Sequence, residues 1–244
     1  MPILETKHLL KQFDGVHAVD RLSLAFERGK ITAVIGPNGS GKTTLINLLS
    51  GMMSWDSGTV AIDGKVTLDH LAPYEAPTYG ITRTFQEVRL FNQMTVLDNL
   101  LVVLTERNVF GALFERHGAY HLERAEEILK RVGLGEKRNA LAVNLSYGQR
   151  KLLEIGRALA MRADILLLDE PFAGLFLEMA KTVVLIVQEL RREGKTIILI
   201  EHNMDLVREL ADRVIVMDGG ELLAEGKSHA VLAKREVIEA YLGT

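Results

Sequence analysis

The sequence predicts an α/β fold with a mixed, mainly parallel core sheet, an antiparallel β-rich edge and an inserted helical lobe. Three observations predict it. The first third of the chain alternates short apolar stretches with glycines and charged turns, the middle carries apolar residues at helical spacing, and the last third alternates apolar strands with helices. We expect one domain over residues 1–244, with the core formed by 1–85 and 146–244 and the lobe by approximately 86–145.

Two elements of the β-rich first third can be placed closely. The run ITAVIG is continuous, rich in β-branched residues and ends at Gly36. It is typical of a buried strand that leads into a helix, here beginning near Lys42. The stretch GTVAIDGK is typical of a hairpin closed by Asp63 and Gly64.

The remaining elements follow from the period of the apolar residues. From about Thr95 to Arg162, helices are predicted for TVLDNLLVVL, HLERAEEILKRVGL and GQRKLLEIGRALAMR, with a loop-like segment at Val109–Gly118. The last third predicts the strand ADILLLDE, a helix near Leu177–Glu193, the strand KTIILIE, a short helix and the strand DRVIVMDGG. Strands that alternate with helices in this way imply a parallel sheet covered on both faces.

Composition and charge narrow the class of protein. The chain of 244 residues is 48% apolar and 25% charged, and its formal net charge is −3. A nucleic-acid binder needs a surplus of Lys and Arg, so we expect no nucleic-acid partner. There is no cysteine, which excludes disulfides and thiolate metal sites.

No segment of the sequence predicts a membrane span. The longest apolar runs, Leu100–Leu104 and Val183–Val187, are far shorter than the roughly 20 residues needed to cross a bilayer. The first residues lack an apolar signal core. We therefore expect a soluble, cytoplasmic chain whose membrane role, if it has one, depends on partners.

The segment from Gly36 to Thr43, GPNGSGKT, fits the P-loop pattern G-x-x-x-x-G-K-[ST] at every fixed position. Glycines allow consecutive backbone N–H groups to face an anion, and the following helix directs its positive end at the phosphates. Lys42 can reach the β- and γ-phosphates, and the Thr43 hydroxyl can coordinate Mg²⁺. The residues expected to bind the nucleotide here are Asn38, Gly39, Ser40, Gly41, Lys42, Thr43 and Thr44.

The alternative to a nucleotide site is a chance glycine-rich turn. The motif lies between a predicted buried strand and an apolar helix, as phosphate binding requires, which argues against chance. By itself the P-loop does not separate a GTPase, a kinase, a helicase and a transporter ATPase.

Two acids end the apolar strand ILLLDE. Asp169 at the strand end suits Mg²⁺ coordination, either direct or through water. Glu170 can polarise a water for in-line attack on the γ-phosphate. A strand that simply ends in solvated acids is the alternative, which the P-loop upstream makes weaker.

The segment LSYGQ, Leu145–Gln149, begins a predicted helix and resembles the LSGGQ signature of ABC (ATP-binding cassette) proteins. The resemblance implies the ABC cassette fold, ATP and Mg²⁺ as ligands, and contacts from Ser146, Gly148 and Gln149 to the ATP held by a second cassette. A Ser hydroxyl, a small Gly and a helix N-terminus are consistent with an anion site. The alternative for Ser146 is a simple N-cap, worth roughly 1 kcal/mol.

Three further residues match family positions. Gln86, in RTFQEVRLF, matches the Q-loop glutamine that contacts Mg²⁺ and links the site to the membrane partner. His202, in LIEHNMD, matches the switch histidine at the γ-phosphate, although a lone His after a strand is more often structural. Phe13, in KQFDGV, matches the aromatic residue that stacks on adenine, with packing in the core as its alternative.

One segment departs from the family pattern. After PFAGL the D-loop usually carries Asp or Asn, often followed by Pro, where this chain has Phe176 and Leu177. The usual polar residue contacts the opposite cassette, and the Pro would begin the next helix. The change questions how two cassettes communicate and how fast ATP is hydrolysed. Tyr147, in the signature, is a milder departure.

Within the superfamily, the chain is most similar to the cassettes of branched-chain amino acid importers. The likeness is carried by GITRTFQEVRLFNQMTVLDNLLV, NLSYGQRKLLEIGRALA, IEHNMDLV, the tail EVIEAYLG and the segment near Val109–Gly118. It implies an ATP hydrolase at the inner face of the cell membrane, with permease subunits, a second identical or different cassette and an extracytoplasmic solute-binding protein. Related cassettes serve urea import and lipopolysaccharide export, and these remain alternatives.

The resemblance also suggests where the permease docks. The candidate contacts are Phe85, Arg89, Leu90, Phe91 and Met94. The alternative for Phe85 and Phe91 is packing inside the lobe. Two other classes are weaker: a soluble ABC ATPase acting on DNA or ribosomes, which would carry long coiled coils or zinc fingers, and a metabolic P-loop kinase, which has no use for the Ser146 signature.

Overall fold

The computed structural model describes residues 1–104 and 118–242. The loop-like segment predicted at Val109–Gly118 lies outside these residues, apart from Gly118. The chain divides into two compact units. The first unit comprises Met1–Arg83, Asp164–Glu170 and Val187–Thr244, and the second unit comprises Thr84–Ala163 and Pro171–Ile186. The lobe predicted at approximately 86–145 lies within the second unit, which also contains the helix that follows it.

All the strands in the described ranges belong to the first unit. They are β1 (Pro2–Phe13), β2 (Val16–Leu22), β3 (Ala25–Glu27), β4 (Ile31–Ile35), β5 (Ser57–Ile62), β6 (Val66–Leu68), β7 (Ile81–Arg83), β8 (Ile165–Asp169), β9 (Thr196–Ile200), β10 (Arg213–Asp218) and β11 (Glu221–Lys227). The described helices are α1 (Lys42–Leu49), α2 (Val96–Leu104), α3 (Gly118–Arg131), α4 (Tyr147–Ala160), α5 (Leu177–Arg192), α6 (Met204–Leu210), α7 (Ser228–Val231) and α8 (Arg235–Leu242).

The smaller sheet is antiparallel, with the order β2–β1–β5–β6 and with β3 paired to β1. It is the β-rich edge that the sequence predicts. The β5–β6 hairpin closes at Asp63 and Gly64, which have φ angles of 56° and 63°. Two successive positive φ values are those of a type I′ turn, and Asp-Gly is a sequence that adopts it readily.

The larger sheet has the order β11–β10–β4–β9–β8–β7. All its neighbours are parallel except β10 and β11. Every residue of β4, β8 and β9 is buried, which explains why these strands are continuous apolar runs in the sequence.

Apolar clusters cover both faces of the larger sheet. Val34 of β4 belongs to the cluster that contains Leu45 and Leu48 of α1. Its neighbours Ala33 and Ile35 belong to the opposite cluster, with residues of α6, α7 and α8. Because side chains alternate along a strand, β4 is fixed between two cores. The carboxyl ends of β4, β9 and β8 consequently lie side by side at one edge.

The second unit is mainly helical, with α2, α3 and α4 packed on one another. Gly156 lies where α4 meets the other two helices. A Cβ atom at this position would be 3.3 Å from Ile128 and 3.6 Å from both Leu100 and Val132, so the missing side chain permits the close approach. Thr95 and Leu141 form an antiparallel bridge that joins the segments before α2 and before α4.

Across the described parts of the chain, none of the helices combines the length and the apolar character needed to cross a bilayer.

Candidate nucleotide-binding site

The glycine-rich loop lies in the first unit, between the end of β4 and the start of α1. At two positions of this loop only glycine fits, because a larger residue would clash with neighbouring main chain. Gly36 has φ 153°, and a Cβ there would be 2.1 Å from the carbonyl oxygen of Met217. Gly41 has φ 96°, and a Cβ there would be 2.1 Å from the carbonyl oxygen of Ala18. Both positions exclude a side chain, as a loop that brings backbone N–H groups to a phosphate requires.

Lys42 folds over the loop from which it comes. Its Nζ donates to the carbonyl oxygens of Gly36 at 2.9 Å and Pro37 at 2.8 Å, and to Oγ of Ser40 at 3.3 Å. Burial lowers the pKa of Lys42, and the nearby charges of Glu170 and Asp169 oppose that effect. The lysine is thus held at the carboxyl edge of the sheet, within range of both acids.

Asp169 ends β8 with its side chain 1% exposed, and it is paired with Arg83 at the end of β7. Nη2 of Arg83 donates to Oδ2 of Asp169 at 2.9 Å, while its Nη1 donates to Asn47 at 2.6 Å and Ser50 at 3.0 Å, both in the α1 region. The sequence analysis does not identify Arg83. The only sequence signal is a cation at the end of a short strand, which is ordinarily solvated.

Glu170 follows Asp169 in the left-handed region, with φ 47°. Such a conformation is uncommon for a residue other than glycine and is often found at functional sites. Its Oε1 lies 2.8 Å from Nε2 of His202, which follows β9. The two side chains are partly exposed, at 21% and 40%. The structure therefore brings together Lys42, Asp169, Glu170 and His202.

A second acid holds the histidine segment. Oε2 of Glu201 accepts from the main-chain N–H groups of His202 at 3.0 Å and Asn203 at 3.2 Å. Glu201 is buried, and Asn203 in turn caps α6. The sequence analysis does not select Glu201, although a glutamate at the end of an apolar strand is a usable signal for such a contact.

Phe13 is 43% exposed at the end of β1. Core packing, the alternative weighed from the sequence, therefore does not describe it. Nζ of Lys11 lies 5.4 Å from the centre of its ring. An exposed ring at a strand end is available for stacking.

The signature segment belongs to the second unit, where Ser146 is the N-cap of α4. Oγ of Ser146 accepts from Gln149 N–H at 3.3 Å, and Oε1 of Gln149 accepts from Ser146 N–H at 3.1 Å. This reciprocal pair is a capping box. The simple N-cap weighed from the sequence is thus present, and it leaves the hydroxyl at a helix N-terminus.

The packing inside the second unit leaves no room for a side chain at Gly148. A Cβ there would be 2.3 Å from Sδ of Met179 and 3.3 Å from a methyl group of Leu175. Tyr147 lies against Gly174, where a Cβ would be 2.8 Å from its ring. The signature segment and the segment after Pro171 are therefore packed together.

The residues that depart from the family pattern are strongly exposed. The exposed fraction is 83% for Phe176 and 70% for Leu177. Gln86 is also exposed, and it belongs to the second unit, as do Ser146, Gly148 and Gln149. The structure thus describes the expected site residues in two sets, one in each unit.

A glycine-rich loop between a buried parallel strand and a helix, with an acidic strand end beside it, defines a P-loop nucleotide-binding protein. The model of the ABC transporter family matches residues 19–173 of this chain. The chain belongs to the ABC transporter family.

Relatives in that family match over the whole length. The chain is 40% identical over 249 residues to the probable branched-chain amino acid transport ATP-binding protein LivG of Archaeoglobus fulgidus, covering 100% of this chain and 96% of that protein. It is 39% identical over 251 residues to the high-affinity branched-chain amino acid transport ATP-binding protein LivG of Escherichia coli strain K12, covering 99% and 98%.

Solved structures confirm the fold class. A nucleotide-free ATP-binding cassette from an ABC transporter superposes with a TM-score of 0.87 at 36% identity, covering 100% of both chains. An ATP-binding cassette in its ADP conformation superposes with a TM-score of 0.86 at 36% identity, again over 100% of both. A dimeric cassette bound to ADP and Pi has a TM-score of 0.81 at 26% identity, covering 92% of this chain and 98% of that one.

Proposed function

We propose that this chain binds and hydrolyses ATP to drive branched-chain amino acid import through separate permease subunits. One observation carries the catalytic part of the proposal: the P-loop, Asp169 and the Glu170–His202 pair lie at one edge of one sheet. The printed functions of the full-length relatives support the transported class.

ATP binding is assigned to the P-loop and to Phe13. The backbone N–H groups of the loop face the phosphates, and Lys42 exchanges loop carbonyl oxygens for phosphate oxygens. The exposed ring of Phe13 stacks on adenine. These contacts account for affinity and orientation, which are prerequisites of in-line transfer.

The residues present fit a Mg²⁺ ion bound with the phosphates. When bound, the ion would neutralise charge on the phosphates. Thr43 is exposed in the first turn of α1, and its hydroxyl would hold the ion. One oxygen of Asp169 is already bound to Arg83, so Asp169 would contribute through water.

Hydrolysis is assigned to Glu170, with His202 as its partner. The Glu170 carboxylate orients a water for attack on the γ-phosphate and accepts a proton from it. His202 fixes the carboxylate through their 2.8 Å contact and contacts the γ-phosphate. The N-terminus of α4, with Ser146, Gly148 and Gln149, contacts the ATP bound to a second cassette.

Because the ATP contacts are shared between two cassettes and transport needs a permease, the proposal implies several partners. A second cassette, identical or different, completes each ATP site. Permease subunits contact Phe85, Arg89, Leu90, Phe91 and Met94 and receive substrate from an extracytoplasmic solute-binding protein. The chain then works at the inner face of the membrane, bound to its permease. The dimeric relative supports the cassette pair.

ATP hydrolysis and dimer formation test the proposal together. Wild type, Glu170→Gln and Lys42→Ala are compared, with Glu178→Gln as the control because the Glu178 side chain is 85% exposed on α5. Glu170→Gln should keep ATP affinity, lose hydrolysis and elute as a dimer only with MgATP. Lys42→Ala should lose ATP affinity. Hydrolysis by Glu170→Gln at the wild-type rate would overturn the role of Glu170.

The transported class needs the assembled importer. Wild type is reconstituted in vesicles with its permease and binding protein, and ATP-dependent uptake of labelled leucine is measured against labelled urea. Uptake of urea alone would overturn the branched-chain assignment and leave the ATPase assignment intact.

A further inference from the structure

The loop between β7 and α2 carries the candidate permease contacts and is tied to two helices of its own unit. Its residues 85–91 are not regular structure, so their conformation depends on other contacts. Three polar side chains supply them: Glu154 and Arg157 from α4, and Asn99 from α2. All of these residues belong to the second unit.

Glu154 holds the first half of the loop. Its Oε1 accepts from the main-chain N–H of Phe85 at 3.1 Å, and the main-chain N–H of Arg89 lies close enough to lower the pKa of this carboxylate. The residue is only 5% exposed. One carboxylate therefore joins two positions of the loop to the middle of α4.

Arg157 lies one turn further along α4 and contacts the same part of the loop through the main-chain carbonyl group of Arg89. Its Nη1 donates to the carbonyl oxygen of Arg89, and its guanidinium lies 5.0 Å from the ring centre of Phe91. The Arg89 guanidinium lies 4.1 Å from the ring centre of Phe85. The C=O of Arg89 is thus bonded to α4, its N–H lies near Glu154, and its side chain is stacked on the loop.

Asn99 holds the end of the loop. Its Oδ1 accepts from Phe91 N–H at 3.0 Å, and its Nδ2 donates to the carbonyl oxygens of Phe91 at 3.0 Å and Thr95 at 2.9 Å. The side chain is 0% exposed. It fixes the backbone of Phe91 while the ring of Phe91 remains 44% exposed.

We propose that Glu154 is a positioning residue that presents the Phe85–Phe91 loop to the permease. The inference rests on the proposed function, because it takes side chains of this loop as permease contacts. Glu154 itself touches neither ATP nor the permease. It acts through the main chain of Phe85 and Arg89.

The energetics favour a role in position over a role in stability. Burying a carboxylate is costly, and a whole buried ion pair can often be replaced by well-packed apolar residues at no loss of stability. Glu154 is nevertheless buried, with Lys151 and Arg157 as the nearby cations. A single acceptor that receives two main-chain N–H groups fixes the spacing between them, which an apolar side chain cannot do.

Glu154→Gln is the sharpest test because it keeps the shape and one acceptor oxygen. Its NH₂ group is a donor in place of one carboxylate oxygen and its remaining oxygen carries no charge, so it should hold the two N–H groups less tightly. We expect the ratio of permease-stimulated to basal ATP hydrolysis in the assembled importer to fall at least fivefold relative to wild type. Glu127→Gln is the control, since Glu127 is an exposed glutamate on α3 of the same unit. Glu154→Asp should restore part of the stimulation.

A spectroscopic measurement makes the test independent of the permease. In the full chain labelled with ¹⁵N, Glu154→Gln should shift the amide resonances of Phe85 and Arg89 and leave those of Ser146 and Gln149 in place. Arg157→Lys should shift Arg89 and Phe91 and provides the test if Glu154→Gln fails to fold.

The outcomes separate the two proposals. If the permease stimulates Glu154→Gln as much as it stimulates wild type, the positioning role is overturned and the proposed function stays intact. A wild type that no permease stimulates overturns the proposed function. In that case unchanged Phe85 and Arg89 resonances in Glu154→Gln would still overturn the positioning role.

Discussion

Nε2 of His202 lies 2.8 Å from Oε1 of Glu170, and the two residues follow neighbouring parallel strands. The main chain of His202 is held by the buried Glu201. The direction of the Glu170 carboxylate therefore depends on β9 as well as on its own left-handed backbone.

Replacing His202 by Gln should slow ATP hydrolysis while ATP still binds. Orientation of the Glu170 carboxylate is lost, and positioned acid–base groups contribute factors of about 10² to 10⁴, so we expect a loss of about a hundredfold in kcat. ATP affinity, measured by fluorescence titration, should stay within twofold. His229→Gln is the matched control, because His229 is an exposed residue of α7. An unchanged kcat would exclude the orienting role.

Arg83→Met should destabilise the first unit. Arg83 and Asp169 are 7% and 1% exposed, and removing one partner leaves a buried charge without its principal counter-ion. Breaking such pairs costs about 3–5 kcal/mol, so urea denaturation should move to a clearly lower midpoint.

A double variant is the control for this urea denaturation experiment. Arg83→Met with Asp169→Asn removes both charges and should recover more than half of the lost stability, which a double-mutant cycle measures. Additive losses in the two single variants would mean that the pair is not energetically coupled.

Stability should depend on pH through Glu154. Burial raises the pKa of Glu154 from 4.5 to about 7. The folded protein then holds a proton that the unfolded chain has released, so folding stability falls as pH rises from about 4.5 to 7. The shift corresponds to a loss on the order of 3 kcal/mol across this window.

The difference in melting temperature between wild type and Glu154→Gln isolates this effect. Wild type should lose stability relative to the variant as pH rises from 5 to 7.5, and the difference should be flat above pH 8. Glu127→Gln provides the baseline. A wild type that gains stability relative to Glu154→Gln over this range would contradict the raised pKa.

Phe176→Ala should affect association and leave the fold intact. Phe176 is 83% exposed, so the free energy of unfolding should change by no more than about 0.5 kcal/mol. Burial of a large apolar side chain contributes about 1.5–3 kcal/mol. We therefore expect the ATP-dependent dimer of the Glu170→Gln background to weaken by about tenfold or more when Phe176→Ala is added.

Leu185→Ala is the matched control for a surface apolar residue, since Leu185 is 58% exposed on α5. Equal dimer dissociation constants for Phe176→Ala and its parent, measured by analytical ultracentrifugation, would show that Phe176 lies outside the cassette interface.

The elements that the sequence predicts most closely are those with a strict local requirement. The strands β4, β8 and β9 are buried on both faces and need continuous apolar runs, and the P-loop needs glycines where Gly36 and Gly41 leave no room for a Cβ. By contrast, β11 is not predicted from the sequence, because it is half exposed and has no continuous apolar run.

The polar contacts around the site depend on tertiary structure and are not visible in the sequence. Arg83 meets Asp169 only because β7 lies beside β8. Lys151 and Glu154, three residues apart on a helix, have the spacing of a solvated ion pair, yet both are buried. Only the packing of α2 and α3 on α4 turns that face inward.

The position of β4 in the sheet has a consequence for synthesis of the chain. Its two neighbours, β9 and β10, come from the far end of the sequence. While the ribosome is still translating the residues between, the Gly36–Thr43 loop has left the exit tunnel without either supporting strand. Non-local pairing of this kind is slow and occurs late. A nascent chain should therefore acquire its affinity for nucleotide only near the end of translation.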